Sequence, residues 1–135
     1  MAKKIFINLP VADLQKAMSF YTAIGFTNNP QFTDETAACM VVSEEIYVML
    51  LTRSKFKEFI KKEIGDTAKT ASVINALSVD SSEEVHTMVG KAVEAGGVEP
   101  VEAKNYGFMQ QRSFEDPDGH LWEVTYMDMT KFPEQ

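Results

Sequence analysis

The chain has one cysteine and two histidines in 135 residues. A single thiol excludes an internal disulfide and any metal site built on several cysteines. Cys39 sits in the apolar run AACMVV (37–42), so a buried, unreactive thiol is expected. Positive charge is also scarce: 13 Lys and Arg against 20 Asp and Glu leave a formal charge of −7. Nucleic acid and anionic membrane surfaces need clustered cations, so neither is an expected partner, whereas a cationic ligand would suit the balance. No apolar run reaches the roughly 18 residues of a membrane span, and no leader peptide is evident, which points to a cytoplasmic protein. What remains is 44% hydrophobic and 24% charged, enough to bury a core in one domain of this size.

The most informative stretch is FEDPDGHLWEVTYMD (114–128). Asp116-Pro117-Asp118-Gly119 is a turn signal: Pro117 presets φ, the Asp side chains accept backbone N–H groups, and Gly119 tolerates positive φ. The strand that follows alternates. Trp122, Val124 and Tyr126 form an apolar face, and Leu121, Glu123, Thr125 and Met127 form the other. A lone carboxylate on a half-apolar face needs a reason.

Upstream, Lys3–Val11 reads as a strand with Ile5, Ile7, Leu9 and Val11 on one face and Phe6 and Asn8 on the other. Asp13 is an N-cap for a helix carrying Leu14, Ala17, Met18, Tyr21 and Ile24, which Gly25 ends. Strands are expected over 26–33, 36–42 and 46–52. A second helical stripe, Phe56, Phe59, Ile60 and Ile64, lies in a Lys-rich segment, followed by a loop at 65–71. The opening pattern then recurs: strand 72–79, a cap at Ser81 with Glu84, a helical stripe Val85, Met88, Val89, Ala92 and Val93, and Gly96-Gly97. Strands over 99–103 and 107–115 precede the DPDG turn. The chain thus reads as a duplication, module one over about 3–52, a connector over about 53–71 and module two over about 72–128.

NLPVADLQKAMSFYTAIGF at the start and FEDPDGHLWEV at the end make the chain similar to the vicinal oxygen chelate superfamily, which includes glyoxalase I, bleomycin-resistance proteins and extradiol dioxygenases. Within it the chain most resembles the small proteins described as predicted lactoylglutathione lyases. The resemblance implies an α+β fold, two βαβββ modules forming a cup-shaped mixed sheet with helices outside. It also implies a homodimer. Metal enzymes of the group hold a divalent ion through His, Glu, His and Glu; carried over, these fall at Phe6, Leu50, Ile74 and Glu123. Three of the four are hydrocarbon, and one carboxylate does not hold such an ion, so no metal or other cofactor is expected.

Neither histidine is expected to rebuild the site: His86 lies on a helix outside its apolar stripe, and His120 beside the turn. By strand parity the cup wall comprises Phe6, Asn8, Val48, Leu50, Thr52, Ile74, Ala76 and Ser78, with Tyr106, Phe108 and Gln110 near its mouth. If Glu115 lies opposite His120, Arg112 faces Glu123; a slip of one residue brings Gln111 there instead. The ligand-binding candidates are therefore Phe6, Asn8, Leu50, Thr52, Ile74, Ala76, Tyr106, Phe108, Arg112 and Glu123. The expected function is binding of an apolar or aromatic small molecule with a polar handle, without metal. The alternative is a glyoxalase-type lyase, isomerase or dioxygenase with Glu123 as its catalytic group. In a third reading the cup is filled by its own side chains.

Overall fold

The computed structural model describes residues 3–131, which divide into two units on either side of Thr70 and Ala71. The first unit runs β1 (Ile5–Val11), α1 (Leu14–Ala23), β2 (Thr27–Asn29), β3 (Ala37–Val41), β4 (Ile46–Thr52) and α2 (Arg53–Lys57). Its sheet has the order β1-β4-β3-β2, with β1 and β4 parallel and the other neighbours antiparallel. Asp13 caps α1 by accepting the Lys16 N–H at 3.1 Å, and Gly25 ends the helix at φ 113°. Leu14, Ala17, Phe20 and Tyr21 are the buried side of α1, which lies against β3 and β4. The covered sheet face is Leu9, Val11, Ala38, Met40, Val48 and Leu50, all buried.

The second unit repeats the plan: β5 (Ile74–Ser78), α3 (Ser82–Glu94), β6 (Lys104–Asn105), β7 (Met109–Glu115) and β8 (Leu121–Met127), in the sheet order β5-β8-β7-β6. Ser81 caps α3 by accepting the Glu84 N–H at 3.1 Å. Val85, Val89 and Ala92 are the buried positions of α3, which lies against β7 and β8. The face they cover is Leu77, Phe114, Trp122 and Val124; the Phe114 and Trp122 rings stack at 6.1 Å. Two four-stranded mixed sheets, each with a helix on one face, make the α+β fold expected from the sequence. Among the described residues no helix is long and apolar enough to cross a membrane.

Three expected elements differ most from the sequence reading. The strand at 26–33 stops at Asn29, because Pro30 has no N–H to donate and starts a 3-10 turn that Asn29 caps. The helix at 53–64 ends at Lys57, where bonds from Glu58 to Lys55 and from Phe59 to Phe56 tighten the chain into a turn. Phe59 is left 69% exposed beneath the Lys55 ammonium, so it covers no core. The strand at 99–103 does not form; only Val98 bridges to Glu115, and pairing resumes at Lys104.

The DPDG turn sets the register of its hairpin. Asp116, buried, accepts N–H groups from both Asp118 (3.0 Å) and His120 (2.8 Å), and its own N–H donates to the His120 carbonyl. His120 is thereby held inside the turn and is buried, and Glu115 pairs with Leu121. Gly119 adopts φ 89°, as the turn requires. Asp116→Ala leaves two turn N–H groups unmatched and is expected to cost about 1–3 kcal/mol. Asp116→Asn keeps an acceptor oxygen and should lose less; urea unfolding of the two variants measures the difference.

Candidate functional site

Glu123 stands on β8, an inner strand of the second sheet, on the face that α3 does not cover. Its register partners are Ala76 on one side and Ser113 on the other, both small, with Ile74 and Leu121 one pair along. The carboxylate is half-buried and has no hydrogen bond or ion pair among the described residues. Ser113 is 7% exposed, and its Oγ is buried without a hydrogen-bond partner. Two polar groups that lack protein partners thus sit side by side, next to the apolar pair Ile74 and Leu121. The sequence reading missed Ser113. Its signal was the length of the turn: with His120 inside the loop, the pairing moves by one residue.

That shift removes Arg112 from Glu123. Arg112 pairs with Val124 and points to the helix-covered face, and Gln111, opposite Thr125, shares the Glu123 face without facing it. The Arg112 guanidinium donates to both oxygens of Glu99, at 2.9 and 2.7 Å, and through Nη1 to His86 Nδ1 at 3.0 Å. An arginine donates only, so His86 Nδ1 accepts in this arrangement. His86 is exposed, as expected, but it is tied to Arg112 rather than merely solvated. These three residues and Pro100, Val101, Glu102 and Ala103 line an open groove of about 490 Å³. The hydrogen bonds from Arg112 hold Glu99 below the usual carboxylate range, burial opposing and the charge of Arg112 adding to the effect. Glu99 raises Arg112 in turn.

In the first unit the register pairs Phe6 with Tyr47, their rings stacked at 4.7 Å, and Asn8 with Met49. Phe6 (53% exposed) and Asn8 are on the uncovered face, as expected. Val48, Leu50 and Thr52 are not. Leu50 pairs with Leu9 on the helix-covered face and is fully buried, and the Thr52 hydroxyl caps α2 by accepting the Lys55 N–H. Parity counted along one strand cannot show where that strand meets its neighbour, and a one-residue error reverses every side chain. Ile74 and Ala76 share the Glu123 face, while Tyr106, half-exposed, and Phe108 lie in the turn between β6 and β7. Gln110 is on the helix-covered face, where the Ser82 hydroxyl bonds its side-chain oxygen. Cys39 is buried as expected, and burial pushes its thiol up.

The internal duplication can be aligned on the two caps. Asp13 and Ser81 set Phe6 against Ile74 and Asn8 against Ala76, so the pair Asn8–Met49 matches Ala76–Glu123. The first-unit counterpart of Glu123 is therefore Met49, not Leu50.

Residues 3–43 match the family model for the N-terminal part of bleomycin-resistance-like proteins. A hypothetical protein from S. aureus has the same fold with a TM-score of 0.78 at 27% identity, over 93% of this chain and 94% of its own. A glyoxalase/bleomycin resistance protein/dioxygenase family enzyme from Burkholderia phytofirmans gives 0.77 at 15% identity, over 93% and 99%. The chain has the glyoxalase/bleomycin resistance protein/dioxygenase fold and is similar to the vicinal oxygen chelate superfamily. TnmS3, an antibiotic binding protein from Streptomyces sp. CB03234, has a similar fold with a TM-score of 0.65 at 17% identity, over 94% of this chain and 97% of its own. None of the curated proteins matches the sequence.

The residues at the superfamily's metal-ligand positions do not fit a divalent ion. The second unit has Ile74 and Glu123 at these positions and the first has Phe6 and Met49, which makes one carboxylate, two hydrocarbons and a thioether. Among the described residues no three His, Cys, Asp or Glu side chains cluster in a way that would hold a metal.

Breaking the Arg112–Glu99 pair tests its structural weight. Both side chains are about three-quarters buried (21% and 26% exposed), and Arg112→Met is expected to cost about 1–3 kcal/mol in urea unfolding. Glu99 titrates lower folded than unfolded, so its contribution is complete above the unfolded pKa of about 4.3 and fades as pH falls through the folded value. Glu99→Gln should flatten the acid limb of the stability curve; an unchanged limb would assign that slope to other carboxylates.

Proposed function

We propose that this protein binds an apolar or aromatic small molecule with a polar handle on the uncovered face of its second sheet, without a metal. One observation carries the reading: Glu123, unpartnered among the described residues, lies on an inner strand between the small residues Ala76 and Ser113. An unpaired, half-buried carboxylate on an inner strand lowers stability unless something meets it, and small neighbours leave room for that partner. The misfit of the metal positions supports binding over metal chemistry. The antibiotic-binding description of TnmS3 agrees in kind.

Two measurements test this together. Purified protein is analysed for metal, and binding of a library of aromatic amines, acids and neutral compounds is followed by thermal shift. The expected result is substoichiometric metal together with stabilisation by some compounds that Glu123→Gln weakens at least tenfold in affinity. One tightly bound Ni, Zn, Fe or Mn per chain would sink the proposal. Metal-free turnover of the methylglyoxal–glutathione hemithioacetal, abolished by Glu123→Gln, would replace it with a lyase that uses this carboxylate as acid–base group.

The proposal extends to a homodimer. The edge strands β1 and β5 begin with exposed apolar residues, Ile5 and Phe6 on one and Ile74, preceded by Val73, on the other, and bare apolar edges invite pairing. Light scattering should give twice the 15.1 kDa chain mass; a mass of one chain overturns this part alone.

A further inference from the structure

The segment after α3 leaves the edge of β7 and returns. Between the Val98–Glu115 bridge and the Lys104–Gln111 pair, residues 99–103 face only residues 112–114, so the outer chain carries two residues too many and bulges. On the helix-covered side the bulge is pinned by the Glu99–Arg112 pair. On the other side it opens a small cavity of about 30 Å³, lined by Glu102, Lys104, Gln111, Ser113 and Glu123 among others. Into this space faces Ser113, whose buried Oγ has no partner.

The dimensions and charges of this cavity select what fills it. A volume of this size admits one group no larger than a water molecule. Arg112 is already held by Glu99, and among the described residues neither Lys104 nor any other cation forms an ion pair with Glu123, whose carboxylate lines the cavity without a partner. The group that answers it must be small, cationic and able to donate more than one hydrogen bond, to the carboxylate and to the serine oxygen at once. A carboxylate ligand is repelled, and a trimethylammonium is too bulky and has no proton to donate. We infer that the Ser113–Glu123 cavity receives the primary ammonium group of an amine ligand whose apolar body lies along Ile74 and Leu121. This rests on the binding function proposed above and names the handle.

Four probes with a common phenyl ring decide it: phenethylamine, phenethyltrimethylammonium, 3-phenylpropionate and phenethyl alcohol. Each is titrated into the full chain by calorimetry and by amide-shift mapping at millimolar concentration. Phenethylamine should bind best, at least tenfold tighter than the trimethyl compound, and shift the amides around Ser113 and Glu123. Ser113→Ala should weaken the amine about tenfold while leaving phenethyl alcohol unchanged, and Glu123→Gln should abolish the preference for the amine. The urea midpoint of Ser113→Ala should equal or exceed that of the parent, because the substitution removes an unmade hydrogen bond. Three results overturn the inference: equal affinity for the trimethyl compound, amine binding untouched by Ser113→Ala, or a lowered urea midpoint, which would make the hydroxyl structural. If the acid or the alcohol binds this face and the amine does not, the inference falls and the broader binding function stands. If none of the four shifts any amide of the second sheet, both fall.

Discussion

The side chain of Asp116 fixes what the rest of the second unit presents. Its carboxylate collects the N–H groups of Asp118 and His120 and closes a turn one residue longer than the DPDG motif itself. Because strand pairing has a period of two, that extra residue decides which β7 side chains share a face with Glu123. With His120 in the turn, Ser113 stands beside Glu123 and Arg112 is sent to the opposite side, where it meets Glu99 and His86. The same event separates two roles that a shorter turn would have merged. The cation becomes a brace for the 99–103 bulge, and the carboxylate keeps no partner among the described residues.

The duplicated plan shows how far the two units have diverged at equivalent positions. Phe6 stacked on Tyr47 corresponds to Ile74 beside Leu121, and Asn8 with Met49 corresponds to Ala76 with Glu123. One sheet offers aromatic surface and no charge at these positions; the other offers aliphatic surface, one small residue and one carboxylate.

Much of this was legible in the residues. The caps Asp13 and Ser81, the glycines after each helix and the turn chemistry of 116–119 are local devices, and each acted where the sequence placed it. The Trp122/Val124 face was correct for the same reason, since alternation along one strand is a local property. What failed was register. Leu50 was assigned to the Phe6 face and Arg112 to the Glu123 face, and each error is a slip of one residue between strands that no single-strand pattern can reveal. The 99–103 bulge was hidden too, because its pinning contact is an arginine distant in sequence, and Glu99 carries no local mark of that partner.

The two departures from ordinary sheet construction are adjacent, and that adjacency is informative. Among the described residues, Ser113 Oγ is the buried side-chain polar atom that finds no partner, and it belongs to the residue paired with the unpartnered Glu123. Stability alone would favour removing both, since a buried unmatched hydroxyl costs about 1–3 kcal/mol and alanine would fit the same space. The Arg112–Glu99 brace adds to this, because it stabilises the bulge that keeps the space beside Ser113 open. A fold that satisfies its helix caps and its turn, yet holds two unsatisfied polar groups side by side next to a braced gap, fits the proposed amine ligand, which would supply the missing bonds.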